Sequence, residues 1–337
     1  MRFSGIVLAV VLAAVLAIVL AAWAGPGKTV GFQQVSVPDP EGKPIAMAIW
    51  YPSDAPAADS PLGMFSQFVA TNAPISGKQL SLILISHGTS GSLASHYDTA
   101  LALAKAGFVA AAITHTGDSF ADQSYAGNRI DLIDRPRQIR VALDYLLGSW
   151  KDHAQLDPER IGMFGFSLGG FTTLVTVGGT PDLAQMGKLC ATRPDAPECV
   201  FVKQRHGDQL EPPAITPVWV HDARIKAAVI AAPAVGFLFE GGGLKQVSVP
   251  VELWRAANDH QAPDAWNSGI VRKELPKPPD EHVVPSVDHF IFLAPCSEAL
   301  AKAAPSICTD SPGFSREEFH ESFNREVIKF FSAELKR

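Results

Sequence analysis

The chain is poor in cysteine, with four among 337 residues and none in a C-x-x-C pair. That excludes the usual cysteine-ligated zinc sites. Single-sign charge is also scarce. Lys and Arg total 28 against 34 Asp and Glu, a net charge of −6, which argues against nucleic acid as a partner. Charged residues make up 18% and hydrophobic residues 47%, without the polar blocks that mark disorder. No internal repeat and no low-complexity tract interrupts the region after the N-terminal segment, so solenoid and fibrous folds are excluded. The one long hydrophobic run lies at the start. Arg2 precedes an uncharged stretch from Ile6 to Ala22, Ala22-Trp23-Ala24 fits a small-x-small cleavage site, and Gly25-Pro26-Gly27 breaks the run. Residues 1–24 therefore read as a secretory signal peptide, with an uncleaved membrane anchor as the alternative. No cysteine follows the run, which disfavours a lipid-anchored start. Both readings place the protein outside the cytoplasm, periplasmic or secreted, and limit membrane contact to that segment.

Four cysteines allow three pairings. Two local bridges, Cys190–Cys199 and Cys296–Cys308, are the most economical, each worth about 2–3 kcal/mol for a loop of about ten residues. Free buried thiols are the alternative.

Alternating strand and helix patterns are present throughout. Thr29 to Val37 and Ile45 to Tyr51 read as a hairpin across Pro38-Asp39-Pro40-Glu41-Gly42. Pro52 to Pro61 reads as a loop, and Leu156-Asp157-Pro158-Glu159-Arg160 as a turn before the strand at Ile161. Leu80 to Ser86, Phe108 to Thr114, Ile225 to Ala231 and Val251 to Ala256 are short apolar runs, hence buried strands. Glu281 to Val284 reads as the last strand. Helices are expected from Ser92 to Lys105, from Asp134 to Leu147 and after Ser315. There Ser315 and Glu318 fit a capping box, and Phe319, Phe323, Val327, Phe331 and Leu335 form an i, i+4 stripe. The expectation is an α/β fold: a mostly parallel sheet, helices on both faces and an N-terminal antiparallel hairpin. Residues 25–337 read as one catalytic domain. The proline-rich, aperiodic stretch from 180 to 221 reads as a lid-like insertion over the site, or else as a surface excursion pinned by a disulfide.

The densest chemical signal is Gly165-Phe166-Ser167-Leu168-Gly169, after the apolar run Ile161-Gly162-Met163-Phe164 and before Phe171-Thr172-Thr173-Leu174-Val175. It fits G-x-S-x-G, a nucleophile elbow on a strand-to-helix turn. A Cβ at 165 or 169 would meet neighbouring backbone there. The bland alternative is a tight turn whose serine caps the helix. A serine hydroxyl needs a histidine to take its proton and a carboxylate to hold that histidine's tautomer. In elbow-type folds the acid and then the histidine follow the serine. Asp259, just past the strand ending near Ala256, is the candidate acid, with Asp264 its competitor. Asp222 lies before a strand, on the wrong side. His289, in Asp288-His289-Phe290, is the candidate base, ahead of His282 and His320, and His260 reads as an exposed loop histidine. The oxyanion donors are assigned to the backbone N–H groups of Leu168 and Thr89. His87 reads as structural, and His115-Thr116-Gly117-Asp118 as a pocket-lining or surface loop.

Together Ile49-Trp50-Tyr51-Pro52, Ser86-His87-Gly88, Gly165 to Gly170, Asp259 and Asp288-His289-Phe290 resemble the α/β-hydrolase superfamily. More narrowly, the chain is similar to secreted predicted dienelactone-hydrolase-like proteins, relatives of platelet-activating-factor acetylhydrolase. The resemblance implies the triad Ser167, Asp259 and His289, with Thr89 and Leu168 as oxyanion donors. It also implies hydrolysis of a small-molecule or lipid-like ester with no cofactor and no metal. Two departures stand out: dienelactone hydrolase proper looks for cysteine where Ser167 stands, and no carboxylate follows Ala231-Ala232-Pro233, where the acetylhydrolase pattern carries its acid. A peptidase or acyltransferase on the same fold is the alternative, and a non-catalytic binding protein the third reading. The sequence sets no oligomeric state.

Overall fold

Short apolar runs bounded by glycine, proline and aspartate pair into one sheet because they can satisfy their backbone groups only against each other. The structure is a computed structural model describing residues 29–207 and 217–335. The expected signal or anchor segment, residues 1–24, lies outside the described residues.

Ten strands form the sheet: β1 (Thr29–Val37), β2 (Ile45–Ser53), β3 (Ala58–Leu62), β4 (Phe65–Thr71), β5 (Leu80–Ser86), β6 (Val109–Ile113), β7 (Leu156–Phe166), β8 (Ile225–Ala231), β9 (Val251–Ala256) and β10 (Asp280–Val284). Their order is β10-β9-β8-β7-β5-β6-β2-β1-β4-β3. β10 through β6 run parallel, and β2 is antiparallel to both β6 and β1. The expected hairpin is present, with Val37 opposite Ile45 at its tight end. The mostly parallel α/β sheet is therefore as the strand pattern implies.

The helices are α1 (Tyr97–Lys105), α2 (Arg129–Gly148), α3 (Leu168–Thr176), α4 (Ala184–Thr192), α5 (Pro197–His206), α6 (Ser268–Glu274), α7 (Glu298–Ala303), α8 (Pro305–Cys308) and α9 (Arg316–Leu335). Side chains alternate along the central strands, Leu82 and Leu84 facing one layer and Ile83 and Ile85 the other. The first layer packs α2 and α3 through Ile139, Leu143, Phe171 and Leu174. The second packs α1 and α9 through Ala100, Leu103, Phe323, Val327 and Phe331. The expected stripe on α9 is buried from Phe323 to Leu335, with Phe319 only partly covered. Ser315 Oγ accepts from Glu318 N at 3.3 Å, one half of the capping box.

Four local expectations are corrected. Of the expected Pro52–Pro61 loop, Pro52 and Ser53 belong to β2 and Ala58 to Pro61 to β3, which pairs with β4 as a hairpin over 58–71. β3 is too polar and proline-broken to read as strand, and β4 brings it into the sheet by pairing with β1 and burying Leu62, Val69 and Ala70. The helix expected from Ser92 starts at Tyr97. Side-chain acceptors hold the residues before it in turns, Ser95 Oγ bonding Ser92 N at 3.0 Å and Thr114 Oγ1 bonding Leu93 N at 3.0 Å. The helix expected from Asp134 starts at Arg129, capped by Asn128, whose side chain accepts from Ile130 N at 3.0 Å. Pro136 is then interior to it. Finally, Leu156 to Arg160 belongs to β7, with a register break against β5 between Leu80 and Leu82 where the chain turns.

Cys190–Cys199 and Cys296–Cys308 are both disulfide-bonded, and no free cysteine remains. Such bridges persist in oxidising, extracytoplasmic compartments. Among the described residues no helix is long and apolar enough to cross a membrane.

Candidate active site

β7 is flanked on both sides by parallel strands, and its carboxyl end runs directly into α3. At the junction Ser167 has φ 53° and ψ −118°, a conformation that L-residues avoid. Two close approaches impose it. A Cβ on Gly165 would lie 2.1 Å from Gly169 O, and one on Gly169 would lie 2.0 Å from Ser86 O. Only glycine permits this spacing. α3 is buried along its whole length, and its three threonines return their hydroxyls to carbonyls four residues back, at 2.9, 2.9 and 2.7 Å.

The other two candidate residues come from the ends of strands on one side of β7, beyond β8. Asp259 follows β9 and His289 follows β10. Carboxyl ends of parallel strands are where open α/β sheets assemble sites. His289 Nε2 lies 2.9 Å from Ser167 Oγ, and His289 Nδ1 lies 2.7 Å from Asp259 Oδ2. The second oxygen of Asp259 accepts from the N–H groups of Gln261 at 3.0 Å and Ala262 at 2.6 Å. The carboxylate is thus fixed by its own turn, with one oxygen left for the imidazole. All three side chains are buried.

Asp264, the competing acid, pairs with Arg255 at 3.6 Å and Arg272 at 3.6 Å, away from the imidazole. Asp222 is paired with Arg224. His320 bonds Asp98 at 2.6 Å, and His282 stacks on Trp254. His260 is exposed and bonds Asp288 at 2.8 Å. Asp288 also takes the N–H groups of His260 and His289. Burial alone would raise the Asp288 carboxyl, but those N–H groups and the His260 imidazole hold it below the usual carboxylate range. It thereby fixes the loop that carries His289.

Thr89 and Leu168 both border the cavity above Ser167, Thr89 exposed and Leu168 buried. Neither backbone N–H has an acceptor among the described residues. The Thr89 loop is held from below. His87 Nδ1–H donates to Gly88 O at 2.6 Å, and its Nε2 accepts from His115 N at 3.0 Å. His115 Nδ1–H donates to Gln138 Oε1 at 2.9 Å, leaving Nε2 to accept from Ser86 Oγ at 2.8 Å. Burial, and next the Arg135 charge, push both imidazoles well below the ordinary histidine range, so both are neutral and their tautomers are set.

Arg135 was not singled out by the sequence motifs, yet it organises this wall. Fully buried, it donates to the carbonyl of His87, to Asp118 Oδ2 at 2.7 Å and to Thr172 Oγ1 at 3.1 Å. Asp118 Oδ1 in turn accepts from Ser90 N at 2.7 Å. A signal for it exists, since Arg135 sits four residues before Ile139 on the apolar stripe of α2. A charge on such a stripe must find a buried partner.

The cavity over Ser167 measures about 930 Å³ and is walled mainly by apolar side chains, among them Leu132, Met186, Phe201, Val235 and Leu238. The 180–221 stretch contributes α4 and α5 to this wall, tied together by Cys190–Cys199. Residues 208–216 of the stretch lie outside the described residues. Glu198 on α5 anchors it, accepting from Trp266 Nε1 at 3.1 Å and Asn267 Nδ2 at 2.8 Å. Burial raises the Glu198 carboxyl, against those hydrogen bonds, and the nearby Asp259 charge adds to the rise.

The arrangement can do one thing well: draw a proton from a serine hydroxyl through an oriented imidazole, beneath an apolar cavity and beside two free N–H groups. No protein-family model matches the chain, and no curated protein matches it.

Proposed function

We propose that the protein is a serine carboxylester hydrolase of the α/β-hydrolase type, working outside the cytoplasm. One observation carries the reading: Ser167, on a strained glycine-flanked turn, lies 2.9 Å from His289, which lies 2.7 Å from Asp259. The strand-to-helix turn, the Ser–Asp–His chain order and the parallel sheet support the fold assignment. The two disulfides support the location.

In this mechanism Ser167 Oγ attacks the ester carbonyl as His289 Nε2 accepts its proton. Asp259 holds Nδ1–H and stabilises the imidazolium. The carbonyl oxygen becomes an oxyanion against the N–H groups of Leu168 and Thr89, helped by the amino end of α3. Nε2–H then protonates the departing alcohol, leaving an acyl-Ser167 ester. Water, deprotonated by His289, attacks that ester, and the serine regains its proton as the acid leaves. Each step uses groups of the chain and water. The apolar wall suits a small-molecule or lipid-like ester.

The test is active-site labelling. A fluorophosphonate probe should label the wild type and not Ser167→Ala, and that variant should lose hydrolysis of aryl esters. Full ester turnover by Ser167→Ala would overturn the proposal. Paired ester and amide substrates separate an esterase from a peptidase, and added alcohol acceptors reveal an acyltransferase.

A further inference from the structure

A second cluster of chemical groups lies on β9 and β10, at their amino ends, away from the catalytic edge. Glu252 and Asp280 are register partners across the two parallel strands, as are Trp254 and His282. With a side-chain period of two, all four fall on one face. Glu252 Oε2, Asp280 Oδ1 and His282 Nε2 converge, with donor atoms within 4.8 Å of one another. His282 Nε2 is 3.6 Å from Asp280 and 3.9 Å from Glu252, too far for a hydrogen bond.

Two further observations point to a ligand. His282 Nε2 is shielded from solvent and has no hydrogen-bond partner. The Glu252 side chain is only 2% exposed, and while Oε1 accepts from Trp254 Nε1 at 2.6 Å, Oε2 makes no hydrogen bond among the described residues and faces the same gap. A shielded imidazole nitrogen with no hydrogen bond, facing carboxylate oxygens just beyond hydrogen-bond reach, is costly unless something sits between them. The geometry is also set in advance. The His282 ring stacks on Trp254 at 4.1 Å and 8°, and the same indole holds the Glu252 carboxylate. Outer contacts of this kind orient metal ligands. Lys329 on α9, whose charge Glu252 feels, is engaged by Glu326 at 2.8 Å, so it does not fill the gap.

We propose that Glu252, Asp280 and His282 form a site for a divalent metal ion of the Zn²⁺ class, which staples edge strand β10 to β9. One imidazole with two carboxylates suits a borderline cation better than Mg²⁺ or Ca²⁺, which prefer all-oxygen shells. Ligands on a tetrahedral Zn²⁺ with bonds of about 2.0–2.1 Å sit about 3.4 Å apart, so the two imidazole–carboxylate separations of 3.6 and 3.9 Å close by a few tenths of an ångström and the two carboxylates, within 4.8 Å, draw in by about 1.4 Å at most. Asp280, 66% exposed, is the entry side, and water takes the remaining position. The staple sits upstream of the loops that carry Asp259 and His289. Its role is therefore to hold the strands beneath them, not to take part in the reaction.

Purified full-length protein, stripped with a chelator, should take up one equivalent of Zn²⁺ by calorimetry and elemental analysis. Zn²⁺ at a free concentration 100 times Kd should raise Tm by about 4 °C. His282→Gln should abolish uptake, and Trp254→Phe should weaken it about 10- to 100-fold. Asp280→Asn, at an exposed position, leaves the fold intact and should weaken Zn²⁺ binding at least about 10-fold, keeping the test valid if the buried variants unfold. No uptake by folded wild-type protein, uptake unchanged in both His282→Gln and Asp280→Asn, or saturation by Mg²⁺ in preference to Zn²⁺ would each overturn the site.

Discussion

Arg135 and Asp118 meet at 2.7 Å with both side chains fully buried, and between them they hold the loop that carries Thr89. The guanidinium takes the His87 carbonyl while the carboxylate takes the Ser90 N–H, one on each side of Gly88-Thr89. Removing one partner strands the other charge in the interior. Arg135→Gln should therefore cost about 3–5 kcal/mol in urea unfolding. A loss under about 1 kcal/mol would mean that the pair does not brace this wall.

Asp259→Asn tests the orientation of the imidazole. The amide oxygen can still accept from Gln261 and Ala262, but the amide nitrogen would face His289 Nδ1 and favour the wrong tautomer. Under the proposed mechanism kcat for an aryl ester should fall about 10⁴-fold with little change in KM. Asp264→Asn, on the competing acid, should leave kcat within a few-fold of wild type. The reverse ranking would reassign the acid.

The elbow glycines should be intolerant in a way that separates geometry from flexibility. Gly165→Ala and Gly169→Ala place a carbon near 2 Å from backbone oxygen and should destabilise by about 3 kcal/mol or more. Gly148→Ala, at the end of α2 with open space around it, should be neutral or stabilising by up to about 1 kcal/mol. Thermal unfolding of the three variants reads the difference directly.

Asp131, in the cavity wall, carries a pH signature. Burial, and next the Asp118 charge, hold its carboxyl well above the usual range, with Arg135 opposing and Asp134 adding to the rise. The folded state keeps a proton that the unfolded chain has released, so stability falls as pH rises from the unfolded value near 4 through the raised folded value. Asp131→Asn keeps a donor toward Asp118 without the penalty. It should match the wild type near pH 3–4 and grow more stable relative to it as pH rises. Parallel stability curves across that window would refute the assignment.

The Cys190–Cys199 bridge ties the two helices of the cavity wall. Replacing both cysteines with alanine should cost about 2–3 kcal/mol. If these helices shape the substrate pocket, KM for long-chain aryl esters should rise while acetyl esters are affected less. Equal effects on both would place the segment outside substrate selection.

Much of this site could be read along the chain. The glycines around Ser167 announce a turn that no other residue fits, Asp259 follows the apolar run that forms β9, and His289 follows the short, more polar strand read from Glu281 to Val284. The C-terminal stripe and the opening hairpin declare themselves through side-chain periods of 3.6 and 2. The β3–β4 hairpin was not legible, because Asp59, Ser60 and Pro61 hide β3 and β4 is placed only by pairing with β1. Nor were the roles of Arg135, Glu198 and Gln138, whose bonds to Asp118, Asn267 and His115 span 17, 69 and 23 residues. The cluster at Glu252, Asp280 and His282 was equally hidden, since it exists only in the register between β9 and β10.

The sequence by itself determined which residues are capable of chemistry and which segments must be buried, because both follow from side-chain type and local spacing. Tertiary structure alone decided which of those groups meet. Strand order set β9 and β10 on the same side of β7, and that placement turned three residues separated by 92 and 30 positions into one hydrogen-bonded line. Local propensity cannot encode such distances, since they are fixed only when the whole sheet closes around its core.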